Sequence, residues 1–257
     1  MSDRSTAGHR CLPDLTKTPR IGVAGWSLRR DLADRFGTGD SQLARYATRF
    51  DCVEINSSFY RPHRPATYAR WAEAVPDAFR FSVKMPRSIT HEARLQHHES
   101  LLDAFLEQTG ALGSRRGPIL VQLPPSLRFE PDLARRFFGG LRTRHDGSVA
   151  CEPRHASWFT EAADAALRDA RVARVAADPA PVPAVAETGG WDGLCYHRLH
   201  GSPHMYYSGY GPERLDAAAT GLGPATDRWI IFDNTALGEA IPDALWLSGR
   251  LAKRPAP

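Results

Sequence analysis

No apolar run in this chain approaches the roughly 18–20 residues needed to cross a bilayer. The longest, around Ala173–Ala177 and Ile119–Leu123, suit single strands, so no membrane partner is expected. Residues Met1–Arg20 hold no apolar stretch of signal-peptide type, which makes the cytoplasm the expected location. The four cysteines, Cys11, Cys52, Cys151 and Cys195, include no C-x-x-C and none beside a histidine; they fit neither a zinc site nor a disulfide framework. Cys52 and Cys151 are read in the phase of the helix-facing apolar residues, hence as packing. Glycine-rich phosphate loops are missing too: Gly22 and Gly25 do not make G-x-G-x-x-G, and no G-x-x-x-x-G-K-[ST] occurs. No G-x-S-x-G elbow surrounds Ser27, Ser57 or Ser58.

What is present is ordinary globular material, 42% hydrophobic and 24% charged over 257 residues, which excludes general disorder. With 33 Lys+Arg against 29 Asp+Glu, the net charge of +4 permits phosphate contact without requiring it. The strongest signal is alternation. Eight short β-branched runs recur: Ile21–Gly25, Cys52–Ile55, Phe79–Lys84, Pro118–Leu123, Val149–Glu152, Val172–Asp178, Leu194–His200 and Trp229–Phe232. Between or after them lie amphipathic segments at Ser41–Phe50, Ala66–Val75, Ser100–Leu112, Asp132–Leu141, Glu161–Asp169, Pro212–Ala219 and Leu237–Leu251. Asp40 or Ser41, Pro65 and Pro131 mark helix starts.

Eight strand–helix units in about 250 residues is the arithmetic of a single TIM-type (β/α)8 barrel with parallel strands. The sixth helix should be short or irregular, because Pro179, Pro181, Pro183, Gly189 and Gly190 crowd that connection. The barrel is expected over 20–252, with a flexible N-terminal extension at 1–19 and a tail at 253–257.

Strand side chains alternate, so if the apolar phase faces the helices, the other phase faces the axis. That phase holds Glu54 and Asn56, then Ser82 and Lys84, Gln122, Glu152 and Arg154, and Tyr196, Arg198 and His200. Asp178 closes the sixth strand, and Asn234, in phase with Ile230 and Phe232, follows the eighth. Most are in the C-terminal half of their strand, where the active sites of such barrels are built. Buried charges seldom add stability over Val or Leu, so a ligand explains the set more readily than a satisfied polar plug does. The loops beyond these ends supply Trp26, Tyr60, Trp158 and Tyr207 as candidate walls, with His155 beside them.

The strings Gly25-Trp26-Ser27, Val53-Glu54-Ile55-Asn56-Ser57-Ser58-Phe59-Tyr60, Ile89-Thr90-His91, Gln122-Leu123-Pro124-Pro125, Glu152-Pro153-Arg154-His155 through Trp158, Arg198-Leu199-His200-Gly201 and Phe232-Asp233-Asn234-Thr235 form an ordered set. Together they resemble the DUF72, or YecE-like, family over about residues 20 to 252. The resemblance implies a TIM-type barrel and brings no activity, since the family name records unknown function. Asp233 stands where the family pattern usually has Asn.

The residues themselves leave three readings. In the first, an enzyme acts on a phosphate-bearing ligand, a nucleotide or nucleic acid, as a phosphate-ester hydrolase would: Lys84, Arg154 and Arg198 hold the anion, Glu54 or Glu152 is the base, and His200 is the acid or a second donor. No cofactor is expected. A divalent-metal variant would draw on Glu54, Glu152, Asp178, His155 and His200, but cations at the same mouth compete with it. In the second, the same pocket is a binding module for an anionic metabolite or single strand. In the third, it is a satisfied scaffold. His9 and His97-His98 are read as solvated.

Overall fold

A computed structural model describes residues 18–222 and 225–253. The expected N-terminal extension, with His9 and Cys11, lies outside the described residues except for 18–19, as does the tail beyond 253. Among the described residues ten strands carry the fold: β1 (Arg20–Val23), β2 (Cys52–Ile55), β3 (Arg80–Lys84), β4 (Arg116–Gln122), β5 (Val149–Glu152), β6 (Val172–Arg174), β7 (Ala176–Asp178), β8 (Gly189–Gly190), β9 (Leu194–Leu199) and β10 (Asp227–Phe232). Helices α1 (Gln42–Tyr46), α2 (Ser57–Tyr60), α3 (Pro65–Glu73), α4 (Glu99–Gly110), α5 (Pro131–Arg142), α6 (Glu161–Asp169), α7 (Pro212–Thr220) and α8 (Ala240–Ala252) follow in chain order. Local chemistry sets their starts. Ser41 Oγ accepts from the Ala44 amide and Thr160 Oγ1 from that of Ala163, while Pro65, Pro131 and Pro212 open their helices where no N–H is required.

The strands form two sheets rather than one closed sheet. One has the order β1-β10-β9-β7, the other β2-β3-β4-β5-β6-β8, and every pairing is parallel except β6 with β8. The expected sixth strand is split. Val172–Arg174 pairs with β5 and Ala176–Asp178 pairs with β9, so the chain changes sheets at Val175, whose amide still donates to the Cys151 carbonyl at 2.8 Å. The connection that follows holds one short 3-10 turn, Pro183–Val185, and the glycine pair of β8. Three prolines without amide donors account for the missing helix.

The other seam, between β1 and β2, carries a single parallel bridge, Ala24 to Glu54. A side chain supplies what the ladder lacks. The Tyr46 hydroxyl, at the end of α1, accepts from the Val23 amide and donates to the Cys52 carbonyl, each at 3.0 Å. Gly22 allows this approach, since a Cβ there would fall 2.4 Å from the Cys52 carbonyl oxygen.

Two apolar clusters occupy opposite faces of the strands. The larger packs strands against helices and includes Val53, Val83, Val121, Cys151, Ile230, Phe232, Phe137 and Leu141. The smaller draws Cys52, Leu120, Ala150, Ala173, Tyr196, Trp229 and Ile231 from both sheets. Cys151 therefore packs under the helices as expected, whereas Cys52 shares the phase of Glu54 and sits in the other cluster. Among the described residues, no helix is long and apolar enough to cross a membrane.

Candidate functional site: a charged centre at the strand ends

Five strand ends deliver charged side chains to one place. Arg198, on β9, is buried and bonded to three carboxylates: Nε and Nη2 reach Glu54 Oε2 and Oε1 (3.0 and 2.7 Å), Nη1 reaches Glu152 Oε2 (2.6 Å) and Nη2 reaches Asp233 Oδ2 (2.9 Å). Arg154, just past β5, meets Glu152 Oε1 at 2.7 Å. The His200 ring lies between two carboxylates, Nδ1 at 3.0 Å from Asp233 and Nε2 at 2.8 Å from Glu152, with Arg154 Nη2 3.0 Å from Nε2. Below them the Tyr196 hydroxyl bonds Glu54 Oε2 at 2.9 Å and Ser82 Oγ at 2.7 Å.

The electrostatics follow from this packing. Burial pushes the Glu152 carboxyl up, but Arg198, Arg154 and His200 outweigh it and hold the group well below the usual carboxylate range. Asp233 is lowered in the same way, burial being outweighed by Arg198 and His200. Burial would lower Arg198, yet Glu152, Glu54 and Asp233 keep its guanidinium charged. Lys84 is the contrast. Its ammonium stands over the Phe59 ring at 4.3 Å and has no hydrogen-bond acceptor among the described residues, although the residue is only 6% exposed. Burial and the nearby Arg198 lower its affinity for a proton, partly offset by Glu54, Asp233 and Glu152.

Thus Glu54, Lys84, Glu152, Arg154, Arg198 and His200 come together, and Gln122 ends β4 in register with Glu152. Asn56 joins through Nδ2, which donates to Asp233 Oδ1 at 3.2 Å. Other expected members stand elsewhere. Trp158 is buried, its indole donating to the Leu127 carbonyl and its ring edge against Phe129, so it is core rather than wall. His155 caps the turn Ala156–Trp158 by accepting from the Ser157 amide. Asp178 is taken up by Arg214 of α7. Asn234 turns to the helix side, where Nδ2 donates to Asp243 of α8 at 2.8 Å. Tyr60 and Tyr207 are 72% and 55% exposed, and the ring set edge-on to His200 is that of Tyr206. Trp26 leans edge-on against Trp71.

Asp233 is the member missed from the sequence, and alternation could have found it, since it shares a phase with Trp229 and Ile231. His91 was quoted but given no role. It follows β3 in a single π-type turn, with Nδ1 2.8 Å from Thr90 Oγ1 and its ring edge-on to Phe59. Burial, then Lys84 and Arg87, lower its affinity for a proton. Among the described residues no group of three or more His, Cys, Asp or Glu is arranged to hold a metal ion.

Asp243 ties the loop after β9 to α8, accepting from the Tyr210 amide as well as from Asn234, and burial pushes its carboxyl up to about 6. An unfolded aspartate titrates near 3.9, so between about pH 4 and 6 the folded chain binds the extra proton and this group's contribution falls as pH rises. Asp243→Asn should therefore gain stability relative to wild type as pH rises from about 4 to 7 in urea titrations. A pH-independent difference would remove burial of this charge as the cause.

Fold and site together define an α/β protein of parallel strand–helix units with a charged centre at the strand ends. The chain belongs to the family described as protein of unknown function DUF72, whose model matches residues 20–257. It is similar to the UPF0759 protein YecE of Escherichia coli (strain K12), 34% identical over 134 residues, which is 49% of this chain and 48% of that protein. It is also similar to the UPF0759 protein YunF of Bacillus subtilis (strain 168), 28% identical over 150 residues, 54% and 52% of the two chains. These matches span about half the length of the curated relatives. Crystal structures of DUF72 family proteins from Enterococcus faecalis V583 and Thermotoga maritima MSB8 each share 22% identity with a TM-score of 0.76. They cover 93% and 92% of this chain and 97% and 100% of their own, a likeness of fold.

Proposed function

We propose that the chain binds a phosphate-bearing anion at this strand-end mouth, and that its two sheets are the arcs of one (β/α)8 barrel. The barrel is supported by the apolar cluster drawn from both sheets, by the Ala24–Glu54 bridge at one seam, and by the run Val172–Asp178, which contributes to both sheets at the other.

The observation that carries anion binding is Lys84, 6% exposed at the rim, whose ammonium has no hydrogen-bond acceptor and no ion pair among the described residues. A cation held at the rim with no acceptor is placed to receive one, and a phosphate oxygen is such a partner. The oxygens of Glu54 and Glu152 are directed at Tyr196, Arg198, Arg154 and His200. A carboxylate so strongly held in its ionised form is also a weak base, which favours binding over hydrolysis by Glu152. Glu54, Glu152 and Asp233 instead orient Arg198, Arg154 and His200 around the anion.

Calorimetric titration with inorganic phosphate and pyrophosphate tests this. Wild type should bind at least one, and Lys84→Met should weaken that binding tenfold or more, the equivalent of about 1.5–3 kcal/mol for a charge-assisted hydrogen bond. The melting temperature should hold, since the ammonium makes no hydrogen bond or ion pair among the described residues that the substitution would break. Failure of wild type to bind either anion would sink the proposal.

A further inference from the structure

Ser57 and His63 form a pair that the charged centre does not use. Strand β2 ends at Ile55 and α2 begins at Ser57, so this half-buried serine stands on a strand-to-helix turn, the position of a nucleophile elbow without its flanking glycines. His63 comes from the loop between α2 and α3, and its Nε2 lies 2.8 Å from Ser57 Oγ. The imidazole is set edge-on to Trp71 and Tyr68, at 5.0 and 5.7 Å between ring centroids. Partial burial, then Arg61, lower its affinity for a proton, so the ring is neutral at pH 7. With its proton on Nδ1, Nε2 accepts from the hydroxyl, which is the arrangement that activates a serine.

Such a bond can also do no more than tie a loop, and the surroundings decide between the two. Ser57 lines a cavity of about 850 Å³ bounded by the chain after β1, the start of α1 and the chain after β10. Val23, Trp26, Leu237 and Ile241 make its walls largely apolar, and Arg29, the cation that lines it, is engaged by Asp31 and the Leu237 carbonyl. The space therefore suits an uncharged apolar group rather than a second anion. Gly25, Trp26 and Ser27 line it as well. The Gly25 amide donates to Val23 and that of Leu28 to Gln42, whereas those of Trp26 and Ser27 have no acceptor among the described residues. Open backbone N–H groups lining the same cavity as a nucleophile are the donors that a carbonyl oxygen needs as it gains negative charge.

We propose that Ser57 and His63 are a catalytic dyad that cleaves an uncharged carboxylic ester whose acyl group occupies this cavity. Ser57 Oγ attacks the carbonyl carbon while its proton passes to His63 Nε2, and the Trp26 and Ser27 amides hold the oxyanion. The bond from the carbonyl carbon to the alcohol oxygen breaks, and His63 returns the proton to the departing alkoxide. Water then gives a proton to the same nitrogen and its hydroxyl to the acyl carbon, releasing the carboxylic acid as the proton returns to Ser57 Oγ. This activity is separate from anion binding and needs nothing from Lys84.

A fluorophosphonate tests the dyad, because it reacts with an activated serine hydroxyl by loss of fluoride, and peptide mapping by mass spectrometry locates the label. Ser57 should carry it. Hydrolysis of p-nitrophenyl butyrate should fall about a hundredfold or more in Ser57→Ala and in His63→Gln, the scale of general-base catalysis. In wild type the rate should rise with pH to a plateau, with a midpoint below about 6.5, the ordinary histidine value. His63 is the group that titrates there: Arg61 acts on it only to lower it further, and burial pushes the facing Tyr68 hydroxyl up to about 12. An unlabelled Ser57, or equal hydrolysis by wild type and Ser57→Ala, overturns the proposal whatever the phosphate titrations show. Undiminished labelling of Ser57 in His63→Gln would leave the serine without its base and overturn the dyad.

Discussion

Replacing Arg198 with Met should destabilise the fold by roughly 3–5 kcal/mol, the cost of removing one partner from a buried ion pair. For a chain of this length that corresponds to a fall in melting temperature of about 6–20 °C. The loss is large because one guanidinium serves three carboxylates, and Glu54 and Glu152 are fully buried. Without it, the Glu54 carboxylate keeps the Tyr196 hydroxyl as its one bonded side-chain donor among the described residues. Adding Glu54→Gln to Arg198→Met should recover part of the loss, because a neutral amide no longer requires the missing cation. A double-mutant cycle therefore yields a coupling of about 1 kcal/mol or more between these positions. Strict additivity would show that the cluster is far more solvated than its geometry implies.

Tyr46→Phe is the second change with a large expected effect, and it acts at the opposite end of the polarity scale. The phenyl ring keeps its place among Phe36, Phe50 and Phe79, so packing is preserved. What disappears is the hydroxyl that satisfies the Val23 amide and the Cys52 carbonyl across the β1–β2 seam. Two buried backbone groups left without partners cost about 1–3 kcal/mol each, for a total of roughly 2–6 kcal/mol. Chemical denaturation measures the total, and amide exchange at Val23 locates it: exchange there should accelerate more than at Phe81, whose strand is paired on both sides. Equal acceleration at both would mean that the seam is held by packing alone.

Much of the architecture was legible because strand–helix alternation leaves a period in the sequence, and the helix over Glu161–Asp169 is found where it was read. The break at Val175 was not legible. A run such as Val172–Asp178 records burial, but nothing in it marks where pairing passes from β5 to β9. At the site, alternation carried Glu54, Lys84, Glu152, Arg198 and His200 to one place, since the parity of a strand is a local property. It was misapplied after β10, where Asn234 was preferred over Asp233 although its own phase mates, Ile230 and Phe232, pack under the helices. Trp158, Asp178 and His155 mark a different limit of the sequence. Each is claimed by a partner that parity cannot supply: the Leu127 carbonyl, the Arg214 guanidinium and the Ser157 amide.

The ion pairs at the rim also determine how far its influence extends. Arg154 and Arg198 are opposed within a few ångströms by Glu54, Glu152 and Asp233, carboxylates that also act on Lys84, so seen from one Debye length away the fields of the three cations and three anions nearly cancel. An approaching molecule feels little steering before contact, and discrimination begins only when it is close enough to distinguish one ammonium from its neighbours. A site built this way selects by shape at touching distance, and bulk polyanions passing in solution would not be drawn into it.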